Sequence, residues 1–564
     1  MSAISCVTIP SGEDDTVQGM VDHVARPARR YHSGYWRSAS YIIGAGSLER
    51  FAYFGIGSNL ITYLTGPLRQ STASAAASIN VWSGTGLLLP LFGALVIESY
   101  LGRYRTIVLS SLLYILALGL LTTSAFILRQ GGGFDTNLQA PRPLDILFFY
   151  VSLYLMAIGQ GLHKPCIMAF GADQFDDRDP VELKSRGSFF NWWYFASCAG
   201  PLAALLVLNY IQDNVSWGIG FGIPCVAMAI GLGILMLGAK FYRYRVKTDE
   251  SCALMRVGRV LVKAATNWRI LSSTSACDEE EEDSMPHLRT RQFKFLNKAL
   301  LTPNVSTDHD PTRNTEDARP LSKLLPLWAT SLPFALVMAQ PSTLYTKQAI
   351  TMDRALGPNL DLPAASLQYT VGLTIILSIP IYDRALVPLA RLITKMPSGL
   401  TPLQRIGTGM FLCTVSAATA ALVEHRRLEI ASLHGLSDLP SARVPMSFWW
   451  LVPQNVVYGV ADVFALVGLQ EVFYDEAPCG LKAVGLSVYL SIIGIGSFLS
   501  SFLICVIQRA TSEGGRVGWF ADNTNRAHLD YFYWLLCGLN AVGFLGFVCC
   551  AKSFTSNGHR VVGT

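Results

Sequence analysis

Residues 218–241 read GIGFGIPCVAMAIGLGILMLGAKF, and Lys240 is the one charged residue in this stretch. About 20 residues of helix cross the apolar core of a bilayer. Stretches of similar length and composition recur along the chain. In lipid, a helix satisfies its own backbone hydrogen bonds, whereas an open strand does not. The sequence therefore predicts an all-α membrane protein.

Twelve such spans are predicted, six on each side of a long polar segment. They lie at 39–66, 75–99, 104–128, 144–172, 188–211, 218–241, 323–348, 364–390, 402–424, 446–472, 483–508 and 529–552. The predicted domains are a tail at 1–38, a six-helix bundle at 39–241, a central cytoplasmic loop at 242–322, a second bundle at 323–552 and a tail at 553–564. This arrangement is typical of the major facilitator fold, in which solute binds near the membrane midplane between two bundles.

Composition supports a membrane protein and argues against other classes. Charged residues make up 15% of the 564 residues, against about 25% in soluble proteins. The net charge of +5 is spread over many loops, so nucleic-acid binding is not indicated. Lys and Arg weakly favour cytoplasmic termini. The sequence leaves open whether the membrane is the plasma membrane or the vacuolar membrane.

Histidine and cysteine positions do not indicate an enzyme. Of the nine histidines, His163 alone lies clearly within a span, and no nucleophile with a partner base is recognisable. The 12 cysteines lie mostly in apolar segments without metal-ligand spacing, as expected of small apolar side chains. We predict no cofactor and no metal site.

Charged residues inside the spans are the first candidates for function. Glu49 and Arg50 lie within the first span, Lys164 in the fourth and Glu471 at the end of the tenth. Charge is costly in a bilayer and usually marks a functional site. Each charge alone is equally compatible with a structural ion pair. Opposite charges from both halves favour proton coupling, with Lys164 and Glu471 paired in one conformation and separated in another.

Polar and aromatic residues accompany these charges. The predicted substrate-binding residues are Tyr53, Lys164, Asn191, Gln340, Gln454 and Glu471. Aromatic residues near helix ends are often interfacial anchors, so Trp192 and Trp193 are equally compatible with an anchor and with a cavity wall. The expected partners are a small-molecule substrate, protons and the lipid bilayer, and the sequence does not indicate an oligomeric state.

Residues 93–106, GALVIESYLGRYRT, resemble the loop motif of the major facilitators. Its spaced glycines allow close helix approach. Glu98, Arg103 and Arg105 are predicted to form a cytoplasmic latch that acts in gating. An ordinary positively charged cytoplasmic loop would explain the arginines but not Glu98.

More specific motifs resemble one transporter family. Residues 49–55, ERFAYFG, resemble the helix 1 signature of the proton-coupled oligopeptide transporters. The motifs HKPC at 163–166, FGADQFD at 170–176, SFFNWWYF at 188–195, MDR at 352–354, PLQR at 402–405, EVFY at 471–474 and HLDYFYW at 528–534 resemble the plant nitrate and peptide transporter family (NPF). Residues 58–67, SNLITYLTGP, look most like its fifth subfamily.

The resemblance implies a function and roles for particular residues. It implies symport of protons with a peptide, nitrate, a hormone or a specialised metabolite. Glu49 and Arg50 match the second glutamate and the basic residue of the helix 1 motif, which bear on proton coupling. Lys164 and Glu471 match the family's pair on helices 4 and 10 at the substrate site.

Departures from the family pattern qualify these expectations. Gly46 stands where the helix 1 motif has its first glutamate, so a solute sensor or an uncoupled facilitator is the alternative function. Met338 stands where the plant dual-affinity nitrate transporter has an anion-binding histidine. A thioether cannot donate a hydrogen bond, so nitrate is disfavoured. Thr106 aligns with that transporter's phosphorylated threonine, although a helix N-cap is the favoured reading of this residue.

Overall fold

Helices make up most of the structure, which is a computed structural model. It describes residues 16–130, 142–176, 178–245, 324–357, 360–394, 400–440, 442–476, 482–513 and 517–562. We call residues up to 245 the N-terminal half and residues from 324 the C-terminal half.

The N-terminal half contains seven α-helices. They are α1 (Tyr35–Gly57), α2 (Leu60–Thr65), α3 (Thr72–Leu101), α4 (Arg103–Gln130), α5 (Pro143–Ala172), α6 (Pro180–Asn214) and α7 (Trp217–Leu237). Helix α1 packs against α6 and α7, and α4 packs against α5 and α7. Pro143 and Pro180 each stand in the first turn of a helix, where the missing N–H costs no hydrogen bond.

The C-terminal half contains eight α-helices. They are α8 (Leu325–Met338), α9 (Leu344–Ile350), α10 (Gln368–Ile381), α11 (Val387–Thr394), α12 (Pro402–Leu433), α13 (Val452–Asp475), α14 (Lys482–Ser512) and α15 (Leu529–Val562). A π-helical turn at Tyr382–Leu386 joins α10 to α11. Helix α12 packs against α13 and α15, and α8 packs against α14 and α15.

Helices occupy all twelve predicted span positions, and the predicted all-α membrane fold is confirmed. Within the described ranges, nine spans are long and apolar enough to cross a bilayer, namely α4 to α7, the 364–390 segment with α10, and α12 to α15. The three remaining positions hold α3 and the helix pairs α1–α2 and α8–α9.

Two spans predicted as continuous helices are interrupted, which corrects the prediction. Between α1 and α2, the Ser58 hydroxyl donates to Asn209 Oδ1 (2.8 Å) and the Asn59 amide donates to Asp213 Oδ1 (2.7 Å). These bonds to α6 compete with regular helical geometry. Between α8 and α9 stands Pro341, which has no N–H for a helical hydrogen bond. Hydropathy marked the apolar runs but not these breaks.

Hydrogen bonds connect the two halves toward one end of the helices. Thr72 N donates to Asp522 Oδ1 (2.9 Å), and Gln368 Nε2 donates to the Ser58 carbonyl (2.8 Å). Deeper in the bundle, Asn80 Nδ2 of α3 donates to Ser500 Oγ of α14 (3.0 Å). We call the end of the helices that carries the bonds of Thr72 and Gln368 the joined end. The opposite end, where α1 begins and α15 ends, is the terminal end.

Small β-sheets cover both ends of the bundle. At the terminal end, β1 (Thr16–Val21) pairs with β2 (Pro27–Arg29) and with β3 (Tyr244–Arg245). At the joined end, β4 (Met352–Asp353) pairs in parallel with β7 (Val444–Ser447), and β5 (Ala355–Gly357) pairs with β6 (Leu360–Asp361). The segment predicted as an N-terminal tail therefore includes an ordered part that pairs with the start of the predicted central loop.

Candidate functional site

The predicted charges of the N-terminal half come together inside it. Glu49 of α1 is 2% exposed, and one of its oxygens lies 3.5 Å from Arg50 Nε. Helix α5 packs beside α1 and brings His163 and Lys164 close enough to interact electrostatically with both residues. The second oxygen of Glu49 has no hydrogen-bond partner within the described ranges. The cluster thus holds one carboxylate among several basic groups.

Gly46 is in contact with an aromatic ring. A Cβ atom added to Gly46 would lie 2.5 Å from Cη2 of the buried Trp193 of α6. The indole therefore occupies the space into which a glutamate at this position would extend. The packing of α1 against α6 therefore leaves no space at position 46 for the glutamate of the helix 1 motif.

Glu471 forms an ion pair within the C-terminal half. Its Oε2 accepts a hydrogen bond from Arg405 Nη1 of α12 at 3.0 Å. The Arg405 guanidinium also lies over the Tyr382 ring, 4.6 Å from its centroid. Glu471 therefore pairs with Arg405 in this structure, and its pairing with Lys164 stays a prediction.

Asp462 is a membrane-embedded carboxylate that sequence reasoning missed. It lies on α13, nine residues before Glu471, or about 13 Å along a helix axis. One of its oxygens is buried without a hydrogen-bond partner among the described residues. Cys198 of α6 lies near both Arg50 and Asp462. A charge in the middle of the predicted tenth span was the available signal.

The predicted substrate-binding residues Tyr53, Gln340 and Gln454 lie in different parts of the structure. Tyr53 stacks on Trp82, with ring centroids 5.3 Å apart. Gln340 is fully buried, and its amide donates to Ser500 Oγ (3.1 Å), the same hydroxyl that binds Asn80. Gln340 therefore joins the contact between halves. Gln454 is also fully buried, near the start of α13. The Asn191 side chain lies outside the described residues.

The predicted gating loop shows one arginine in an ion pair. Arg103, at the start of α4, bonds Asp173 at the end of α5, and Arg245 lies 4.0 Å from the same carboxylate. Arg105 is exposed. The Glu98 side chain lies outside the described residues.

Thr106 is not a helix N-cap, so that prediction was wrong. Helix α4 begins at Arg103, and the Thr106 hydroxyl donates to the Gly102 carbonyl at 3.0 Å instead of accepting a bond from a backbone N–H. The residue is 1% exposed. A phosphate group on Thr106 would require this turn to open, and phosphorylation remains a prediction.

Comparison with known proteins identifies the family. Residues 104–520 match the family model described as PTR2, POT family. The chain belongs to the POT family. It is 51% identical over 536 residues to Protein NRT1/ PTR FAMILY 5.10 of Arabidopsis thaliana, covering 95% of this chain and 96% of the relative. It is 50% identical over 547 residues to Protein NRT1/ PTR FAMILY 5.14 of the same plant, covering 96% and 97%. The predicted fifth subfamily is confirmed.

Solved POT structures share the fold. The POT family transporter PepTSo superposes with a TM-score of 0.69 at 21% identity, covering 93% of this chain and 99% of the other. A mutant of a peptide transporter POT in complex with alafosfalin gives a TM-score of 0.63 at 17% identity, covering 93% and 96%. The predictions of a multi-pass membrane transporter and of a non-enzymatic protein are confirmed by the family. No cluster of three or more potential metal ligands occurs in the part of the chain that the structure describes.

Proposed function

We propose that this protein is a secondary active transporter that moves a small solute together with protons. The observation that carries the proposal is the placement of charge between the halves. Arg50 of the N-terminal half and Asp462 of the C-terminal half both lie near Cys198 of α6, one on each side of the boundary between the halves. Opposite charges on two bundles bind a solute between them, and a carboxylate beside cations gains and loses a proton as its neighbours move.

The contacts between the halves support alternating access. We propose that 39–241 and 323–552 form two six-helix bundles that rock about the central site. The hydrogen bonds at the joined end, such as Asn80 to Ser500, would close one side of the membrane in this conformation. They must break when that side opens. We propose that the terminal end faces the cytoplasm, in accordance with the distribution of Lys and Arg.

The individual residues have distinct proposed roles. Arg50 and Lys164 supply positive charge for an anionic or carboxylate-bearing solute, and Glu49 and Asp462 hold the transported protons. Glu471 acts with Arg405 on the terminal side of this site. The predicted change of its ion-pair partner from Arg405 to Lys164 would occur during the transport cycle. Arg103 with Asp173 forms the proposed latch.

The solute is proposed to be a peptide, hormone or specialised metabolite with a carboxylate. The two relatives described above are named NRT1/PTR proteins, and a solved POT structure is a complex with alafosfalin. Met338 ends α8, and its thioether offers no hydrogen-bond donor to nitrate. Asp462 supports coupled transport over the sensor or uncoupled facilitator that Gly46 suggested, because it provides a second carboxylate at the centre.

A substrate panel in voltage-clamped cells, run at two external pH values, tests this proposal. Dipeptides, nitrate and plant carboxylate hormones are the probes. We expect inward currents for at least one organic carboxylate that grow on acidification. Lys164→Ala, Glu471→Ala and Asp462→Asn should each lower the current about tenfold or more at equal surface abundance. Asp361→Asn is the control, because Asp361 pairs with Arg443 on the surface.

The results separate the hypotheses. Undiminished flux in both Lys164→Ala and Asp462→Asn would refute the assignment of the central site. Solute binding without accumulation against a gradient in proteoliposomes would favour the sensor. Accumulation that a protonophore abolishes would exclude both the sensor and the uncoupled facilitator.

A further inference from the structure

A polar stripe inside the C-terminal half leads from the joined end to Asp462. On α13, Gln454, Tyr458 and Asp462 follow one another at intervals of four residues. Residues at this spacing share one helix face and lie about 6 Å apart along the axis. Gln454 and Tyr458 are both buried. The stripe therefore runs through the protein interior and not along the lipid-facing surface.

Neighbouring helices add hydroxyl and amide groups to the stripe. Tyr458 lies near both Asp462 and Tyr345 of α9. The Tyr345 ring lies 5.3 Å from the ring of Tyr533 on α15. Gln348 follows Tyr345 by one turn. Polar groups of three helices thus lie between Tyr533 and Asp462.

Several of these buried groups have no hydrogen-bond partner. Within the described ranges, this holds for both amide atoms of Gln348, both amide atoms of Gln454, the Tyr533 hydroxyl and Oδ1 of Asp462. Leaving a buried polar group unpaired costs about 1–3 kcal/mol. Buried polar groups are normally satisfied by protein or by internal water. The clustering of unpaired groups along one stripe points to a file of water molecules.

The stripe reaches the surface at an acidic group with two histidines. Asp530 precedes Tyr533 by three residues on α15 and is therefore on the same helix face. Its carboxylate oxygens lie 3.6 Å from His425 Nδ1 and 3.7 Å from His528 Nδ1. Both imidazoles are well exposed. This cluster is therefore the point at which the stripe meets solvent at the joined end.

We propose that the stripe holds a file of internal water that conducts protons from Asp530 to Asp462. Each hydroxyl or water accepts one proton as it donates another. The net step moves one proton from solvent to Asp462, whose carboxylate becomes a carboxylic acid, and leaves the intermediate groups unchanged. The inference rests on the proposed function, since it gives the symported proton its route while the joined end is closed to solute.

Other ionisable groups border the path, and each must be considered as an alternative proton carrier. Ionisable groups near Asp462 include Tyr194 and Cys198 of α6, Cys413 of α12, Tyr458 of α13 and Tyr489 of α14. Glu424 and Arg427 lie beside Tyr533 but bond each other through two contacts of 2.6 and 2.8 Å. That pair holds its charges in place and is not a carrier.

Charge movements in voltage-clamped cells test the path without any solute. External acidification steps are applied, and the transient currents of the whole chain are recorded at known surface abundance. We expect pH-dependent transients in the wild type, none in Asp462→Asn, and relaxation slowed about tenfold in Tyr458→Phe and Tyr533→Phe. Tyr242→Phe is the matched control, because this equally buried hydroxyl donates to the Leu235 carbonyl in the other half (2.9 Å).

Hydroxyl-radical footprinting of the solubilised protein provides a second measurement that does not depend on transport. Internal water next to a side chain raises its oxidation rate, so Tyr533 should be oxidised well above Tyr242 although both are buried. Equal oxidation of the two, or wild-type relaxation in both Phe variants, overturns the path. Absence of transients from wild-type protein at the cell surface also overturns it. Full transients in Asp462→Asn would instead refute the central carboxylate of the proposed function.

Discussion

The two halves each contain a fully buried arginine, and these arginines lie at opposite ends of the molecule. In the N-terminal half, Arg243 at the terminal end bonds Glu182 through two contacts of 2.6 and 3.1 Å. It also donates to the backbone carbonyls of Ser33 and Gln174. One side chain thus ties together the segment before α1, the α5–α6 connection and the start of α6.

Arg427 connects several segments in the same way in the C-terminal half, but at the joined end. It bonds Glu424 at 2.8 and 2.6 Å and donates to the Thr524 carbonyl (2.8 Å), Asn525 Oδ1 (2.8 Å) and Thr351 Oγ1 (3.1 Å). It fixes the end of α9 and the loop before α15. Each half is therefore stiffened at one end, and in the proposed transport cycle the halves would move relative to each other between these two fixed regions.

The largest expected effect is the loss of a buried arginine. Arg427→Leu leaves Glu424 fully buried and unpaired, so we expect a loss of about 3–5 kcal/mol of stability. Arg243→Leu should cost less, because the Glu182 side chain is 9% exposed and reaches water more easily. Thermal unfolding of the solubilised variants, followed by size-exclusion chromatography, measures both. The double variants Glu424→Leu/Arg427→Leu and Glu182→Leu/Arg243→Leu are the controls and should recover much of the stability. Equal losses in the two halves would contradict the comparison.

The contact between the halves comes next, because the proposed mechanism requires it to form and break. A Cβ atom on Gly84 of α3 would lie 2.8 Å from the Gly494 carbonyl of α14. Gly84→Ala should therefore hold the joined end apart and lower transport about tenfold, at a stability cost of about 1–3 kcal/mol. Gly119→Ala on α4 is the control, since nothing lies within 4 Å of its added Cβ. Solute flux at equal surface abundance is the measurement. Equal flux in both variants would show that transport does not require the close packing of α3 against α14.

The N-terminal cluster offers a sharper test of why α1 has Gly46 in place of the first glutamate of the helix 1 motif. Gly46→Glu should not raise proton coupling, because the new side chain must displace the Trp193 ring at a cost of about 1–3 kcal/mol. Gly46→Glu/Trp193→Ala provides the space and should regain stability relative to the single change. Unfolding temperature and the pH dependence of solute current report the two effects. Stronger coupling in Gly46→Glu with unchanged stability would show that the ring moves freely.

Sequence reasoning predicted the helices well and the contacts between them poorly. The span at 218–241 corresponds to α7 because apolar length alone determines a membrane helix. Glu49, Arg50 and Lys164 could be proposed from the sequence because charge in an apolar run is visible in one dimension. The Arg405–Glu471 pair and the contact of Trp193 with Gly46 depend on how separate helices face each other, which spacing along one chain does not determine. Asp462 was visible in the sequence and was overlooked in favour of Glu471.

The smallest expected effect comes from ion pairs at the surface, which sharpens the contrast with the buried arginines. Arg443 and Asp361 are about half exposed and 2.7 Å apart at the joined end. Water already solvates both groups, so Arg443→Gln should change stability by less than about 1 kcal/mol. The same unfolding assay at low and high salt measures it, and the small loss should fall as salt screens the pair. A loss close to that of Arg427→Leu would mean that the β4–β7 region, and not the buried arginine, holds the joined end together.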